Sequence, residues 1–183
     1  MARLPYLDPS DLAPENKDLL KRPINLFRAL VHSPNAARGW STIGNYIRHG
    51  SKLDPRLREM AILQVGYVAR APYEWSHHVK IGHDFGVSDD DIRALIAETE
   101  GRPTSLDPFD KAVLKAAREM AGDLAISDGT FATLRQKLDS ELLTDLVLTI
   151  AFYCAVVRVL ATMQIDVEDE YAPYLKQFPL PAD

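Results

Sequence analysis

Residues 54–86 read DPRLREMAILQVGYVARAPYEWSHHVKIGHDFG, and this stretch decides the class of the fold. Asp54 before Pro55 is a strong helix start: a carboxylate to cap the free N–H groups, then a residue whose fixed φ suits the first turn. Leu57, Met60, Ala61, Leu63 and Tyr67 then recur at helical spacing and line one broad side. Ala71-Pro72 interrupts the run, because the residue before proline is pushed away from helical geometry. A second helix is predicted over residues 73–84, closing near Gly86. Two amphipathic helices joined by a tight turn form the unit from which helical bundles are built.

The same grammar extends in both directions. Upstream, Ile24, Phe27, Leu30 and Val31 predict a helix that Ser33-Pro34 closes, and a second follows with Trp40, Ile43, Tyr46 and Ile47 as its inner face. Downstream, Ser88 to Asp91 forms a capping box with Asp in place of Glu, ahead of Ile92, Leu95 and Ile96. Glu100-Gly101-Arg102-Pro103 is a loop, and Asp107-Pro108 repeats the helix-start signal for a helix to about residue 122. Ser127 caps a short helix, and Asp139 or Ser140 opens a long apolar one reaching about Gln164. No stretch alternates with period two for long enough to require a strand. The expected fold is therefore all-α, a single-domain antiparallel helical bundle. Residues 1–23, punctuated by four prolines, read as an N-terminal arm, 24–165 as the helical domain, and 166–183 as a tail that wraps the surface.

Composition narrows the function. A chain of 183 residues with 46% apolar and 26% charged residues can bury its own core. A net charge of −5 argues against a broad grip on nucleic acid or an anionic membrane. Cys154 is the only cysteine, which removes intrachain disulfides and multi-cysteine metal sites and suits a reducing cytoplasm. The N-terminus has no secretory pattern, and the charge-free run from Leu146 to Val157 is too short to span a bilayer, so no membrane association is expected. Gly-rich phosphate loops, His-Glu-x-x-His helices and Gly-x-Ser-x-Gly elbows are missing from the sequence.

The densest chemistry lies at Tyr73-Glu74-Trp75-Ser76-His77-His78. On a helix Glu74 shares a face with His78, four residues on, and neighbours His77, three residues on. A carboxylate beside an imidazole orients the ring, raises its pKa and makes it a competent acid or base near neutrality. Arg58 and Glu59, on the preceding helix, bring a second carboxylate towards the same spot. The plain alternative is a solvated surface pair, with Tyr73 and Trp75 serving only as packing. A metal held by Glu74, His77 and His78 is disfavoured, because adjacent helical residues point about 100° apart. No metal site is expected.

Several stretches carry a family resemblance: Asn25-Leu26-Phe27-Arg28, His32-Ser33-Pro34, Trp40, Gly44-Asn45, Arg58-Glu59, Ile62-Leu63, Tyr73-Glu74-Trp75, His78 and Gly86. Together with Asp110, Glu119, Ile126-Ser127, Asp145-Leu146-Val147 and Tyr153 they resemble the carboxymuconolactone decarboxylase / alkyl hydroperoxidase D-like family across about residues 25–165. The resemblance implies the alkyl hydroperoxidase D-like fold and a homo-oligomer, a trimer or hexamer. Its peroxidase branch uses Cys-x-x-Cys-x-x-x-His with an upstream Glu. Here Ala71 and Glu74 stand at the two cysteine positions, while His78 and Glu59 remain. Thiolate peroxidase chemistry therefore has no nucleophile and no resolving partner. The decarboxylase branch implies that a small lactone carboxylate loses carbon dioxide and its dienolate is protonated, with no cofactor because the electron sink lies within the substrate. On that reading His78 is the acid, Glu74 and Glu59 hold it, and Arg58 or Arg70 grips the substrate carboxylate, with Tyr73, Trp75 and His77 as further contacts. A non-catalytic oligomer that binds a small acid is the competing expectation, and hydroperoxide reduction a more distant one.

Overall fold

Proline sets where many of the helices begin, since its missing N–H would find no partner in a first turn anyway. In the computed structural model, which describes residues 1–181, two 3₁₀ turns (Pro9–Asp11 and Pro14–Leu20) lead into α1 (Asn25–Leu30) and α2 (Pro34–Asn45). A π-helical turn (Tyr46–Gly50) follows, then α3 (Pro55–Val68), α4 (Pro72–Asp84), α5 (Asp89–Thr99) and α6 (Pro108–Gly122). The chain closes with α7 (Asp128–Arg135), α8 (Ser140–Met163) and α9 (Ala172–Gln177). The described residues contain no strand, and the chain is the all-α single domain that its periodicity predicts.

The caps form as the sequence dictates. Asp54 accepts from the Leu57 N–H at 2.9 Å, and Asp107 from the Phe109 N–H at 2.8 Å. Ser88 and Asp91 exchange hydrogen bonds as a reciprocal box at the start of α5. Ser127 and Asp139 cap α7 and α8. Gly86, at φ 91°, supplies the left-handed residue that ends α4.

α3 is the centre of the molecule. It packs against α4, α5, α6 and α8, and every residue from Arg58 to Tyr67 is buried. Its sequence pattern marks one broad apolar side, but the helix is enclosed all round, so Arg58, Glu59 and Gln64 are buried as well. The main apolar cluster joins α3 to α6 and α8 through residues such as Ile62, Val113 and Leu146. A second cluster sits between α3, α4 and α5, around Leu63, Trp75 and Ile92. Each of these large side chains contributes about 1.5–3 kcal/mol by leaving water. α8 is long and apolar enough to cross a membrane by composition, yet one side of it is core, packed on α3, α6 and α7.

Two expectations need correction. Of the proposed inner face of α2, Ile47 is buried and Trp40 packs partly buried on the core, but Ile43 and Tyr46 are exposed; Tyr46 begins the π-helical turn and aims its hydroxyl at Asp145. The segment 166–178 does more than wrap the surface. Phe178 is buried in the second cluster, and its carbonyl accepts from the Trp75 indole N–H at 2.7 Å. The N-terminal arm packs onto the same body, where Leu20 joins Val31 and Ala37.

Candidate functional site

The α3–α4 hairpin brings the two halves of the constellation together. Gly66 packs on the first turn of α4, where a Cβ would just touch the Trp75 backbone nitrogen at 3.4 Å. Arg70, in the left-handed region at φ 49°, turns the chain between the helices. Glu59 on α3 then faces His78 on α4, with Glu74 one turn before it.

His78 is bracketed by carboxylates. Its Nδ1 lies 2.7 Å from Glu59 Oε2, and its Nε2 lies 3.0 Å from Glu74 Oε1. The first is an aligned hydrogen bond; in the second the ring N–H points off the oxygen, which leaves Glu74 Oε1 without a directed partner. A carboxylate has no proton to give, so Nδ1–H donates to Glu59, while Nε2 faces Glu74 as a charge contact; two carboxylates so placed favour the imidazolium. Burial works to push its pKa down, but the charges of Glu74 and Glu59 outweigh it and raise it to about 9. Burial would raise Glu59, and the charges of His78 and Arg58 instead hold its carboxyl below the usual range. Arg58 Nη2 stands 3.0 Å from Glu59 Oε1, and its guanidinium covers the Phe85 ring. Arg58, His78, Glu59 and Glu74 thus form a buried group with two positive and two negative charges.

Glu74 and His78 line a cavity of about 570 Å³. Tyr153, on α8, meets the His78 ring edge-on at 5.0 Å, and its phenol is pushed far up by burial and then by the charges of Glu74 and Glu59. Arg48, on the π-helical turn, opposes that push from close by and also faces the cavity. The turn is pinned to α8 by Asp145, which accepts from the Tyr46 hydroxyl at 2.8 Å and the Ser51 hydroxyl at 2.6 Å. A single π-type turn beside a site is a recurrent device for re-aiming a side chain.

His77 faces another way. Its Nδ1 donates to the Tyr73 carbonyl at 2.8 Å, its Nε2 lies 3.1 Å from Glu168 Oε2, and its ring is stacked between Tyr73 and Tyr171. Glu168 also accepts from the Asn25 N–H at 2.7 Å and the Tyr73 hydroxyl at 3.0 Å. His77 and His78 therefore serve different carboxylates, and the described residues hold no cluster of metal-ligating groups.

Of the residues singled out from sequence, Glu74, His78, Tyr73 and His77 reach the cavity wall, and Glu59 backs His78 from behind. Three assigned contacts do not. Trp75 is wholly buried in the second cluster, on the opposite side of α4. Arg58 is consumed by Glu59 and the Arg48 carbonyl, and exposed Arg70 lies at the turn, off the cavity wall. The cation at the buried end is Arg48, which sequence reasoning missed along with Tyr153 and Glu168. A tyrosine interrupting an otherwise apolar helix was the available signal for Tyr153.

Comparison with known proteins agrees with the all-α fold. The profile of the carboxymuconolactone decarboxylase family matches residues 34–119, which hold Arg48, Glu59, Glu74 and His78. No curated protein sequence matches the chain. Among solved structures, the alkylhydroperoxidase AhpD core of an uncharacterized peroxidase-related protein from Ralstonia eutropha JMP134 is similar at TM-score 0.76 and 18% identity, over 98% of each chain. A peroxidase-related protein from Silicibacter sp. TM1040 is similar at TM-score 0.74 and 18% identity, over 92% of each chain. A variant of the debrominase Bmp8 in complex with 2,3,4-tribromopyrrole is similar at TM-score 0.78 and 17% identity, over 97% of this chain and 100% of that one. Residues 34–119 thus match the carboxymuconolactone decarboxylase family, on an all-α fold similar to that of AhpD-like proteins.

Proposed function

We propose that the chain is a cofactor-independent acid/base enzyme that decarboxylates, or otherwise processes, a small lactone carboxylate. The observation that carries the reading is the imidazolium of His78, buried between Glu59 and Glu74 and opening with Glu74 onto the cavity. When the substrate's carboxylate leaves as carbon dioxide, the bonding pair passes into the conjugated lactone as a dienolate. A proton from His78, delivered directly or through Glu74, then forms the new C–H bond. Proton transfer by a positioned group of this kind contributes roughly 10²–10⁴-fold. Arg58 and Glu59 hold the ring in place. The buried group is already balanced in charge, so an incoming carboxylate needs a further cation, and Arg48 is the one on the wall beside Tyr153.

The enclosed convergence of these groups favours catalysis over simple binding of a small acid, for which a solvated ladder would serve. Peroxide reduction has little support: Cys154 lies outside the cavity wall, and burial pushes its thiol up. An aromatic heterocycle occupying a protein of this fold, as in the Bmp8 complex, is compatible with a flat unsaturated ring here. The test is a panel of lactone and β-keto carboxylates monitored for carbon dioxide release. Release that falls by 10²-fold or more in His78→Gln, with the helical circular dichroism intact, is the expected result. Turnover equal to that of the unaltered protein would sink the assignment.

A further inference from the structure

The cavity is larger and more cationic than a small lactone requires. At about 570 Å³ it falls in the range that accommodates ligands of drug size. Five cationic groups line it, His78, Arg48, Arg38, Lys21 and Arg22, in a chain whose net charge is −5. The two lining carboxylates are already engaged: Glu74 with His78, and Asp18 with Arg38 at 2.8 Å. Lys21, Arg22 and Arg48 enter no ion pair among the described residues, although Lys21 lies near enough to Asp18 to add a minor pull on it.

These unpaired cations sit at different depths. Arg48 stands with Tyr153 and His78 at the buried end, whereas Lys21 and Arg22 are exposed and come from the N-terminal arm, outside the family-matched residues 34–119. The wall also carries aromatic side chains among polar ones. Trp40 and Phe152, with ring centroids 4.9 Å apart, and Phe27 are the main surfaces.

We propose that Lys21 and Arg22 form an outer anion subsite, so that the ligand is an elongated dianion with a flat apolar body. One acid group lies at the Arg48 end, the body lies along Trp40 and Phe152, and a second acid group reaches the arm. The inner end rests on the acid/base reading given above; the outer subsite stands on its own residues. An exposed charge pair is worth up to about fivefold in affinity, so the two cations together give roughly tenfold, and salt weakens the effect.

Calorimetric titration at low ionic strength tests this without turnover. The probes are benzoate, terephthalate, biphenyl-4-carboxylate and biphenyl-4,4′-dicarboxylate. The long dianion is expected to bind about tenfold more tightly than its monoacid, while the short dianion shows no such advantage over benzoate. In the double variant Lys21→Gln/Arg22→Gln the ratio of the two biphenyl affinities should fall to about one. Both substituted side chains are exposed, and circular dichroism checks the fold. Equal affinity of the biphenyl pair in the unaltered protein overturns the proposal. So does a preference that survives in the double variant, or no binding of the long dianion at millimolar concentration. Because the readout is binding, failure of carbon dioxide release from every lactone would leave this result standing, and the reverse also holds.

Discussion

At the scale of single residues, His78 makes stability depend on pH in a definite direction. The folded state holds its proton up to about pH 9, whereas a histidine in the unfolded chain titrates near 6.5. The stabilisation is therefore complete below about pH 6.5 and is lost as pH climbs through 9, on the order of 3 kcal/mol in all. Urea unfolding between pH 6 and 10 should show that decline, and His78→Gln should abolish it. The same variant leaves Glu59 and Glu74 buried with Arg58 alone and should cost about 3–5 kcal/mol. Glu74→Gln is the milder probe. Removing one of the two charges that raise His78 should move the alkaline limb of the activity profile to lower pH, and an unmoved limb would count against His78 as the acid. Cys154→Ala should leave turnover unchanged, since the thiol is buried in the core of α8. Peroxide consumption that disappears in that variant would reverse this reading.

At the scale of elements, the π-helical turn Tyr46–Gly50 decides where the inner cation points. Asp145 is its anchor, so Asp145→Ala should cost about 1–3 kcal/mol and weaken binding of a carboxylate ligand by releasing Arg48. Gly50→Ala should disturb the same turn, because a Cβ there would stand 2.8 Å from the Tyr46 ring. Binding of benzoate by both variants as tight as by the parent would show that the turn does not position Arg48. This turn also shows where sequence reading ends. The helix starts at Asp54, Ser88, Asp107, Ser127 and Asp139 were legible because a cap is a local device, written in one residue and its neighbours. The pairing of Glu59 with His78 was legible because one hairpin joins them. Arg48 and Tyr153 meet the site from elements far apart in sequence, and no local spacing records such a meeting. The π-type turn likewise depends on a hydrogen bond across 99 residues, from Tyr46 to Asp145. Trp75 shows the opposite error: proximity in sequence to Glu74 and His78 suggested a shared site, while α4 turns it to the other side.

At the scale of the whole molecule, one face of α8 remains uncovered. Leu148 is exposed near Tyr46, whose hydroxyl reaches Asp145 one helical turn before it, and Ile43 on α2 is exposed as well. Together with the family resemblance, these exposed apolar side chains support association of like chains. Light scattering at micromolar concentration is expected to give several times 20.5 kDa, and Leu148→Arg to lower that mass; a clean monomer would remove the idea. The segment 166–178 has a bearing of a different kind, on the order in which the protein comes into being. Chains emerge from the ribosome N-terminus first. Glu168, Tyr171 and Phe178 are thus added after every helix from α1 to α8 has been made. Until they arrive, His77 lacks both its carboxylate and one stacking ring, and the indole N–H of Trp75 has no acceptor. A nascent chain that halts near residue 165 would carry nearly all of the helices and still present these two unsatisfied rings, the kind of surface on which chaperones and proteases act.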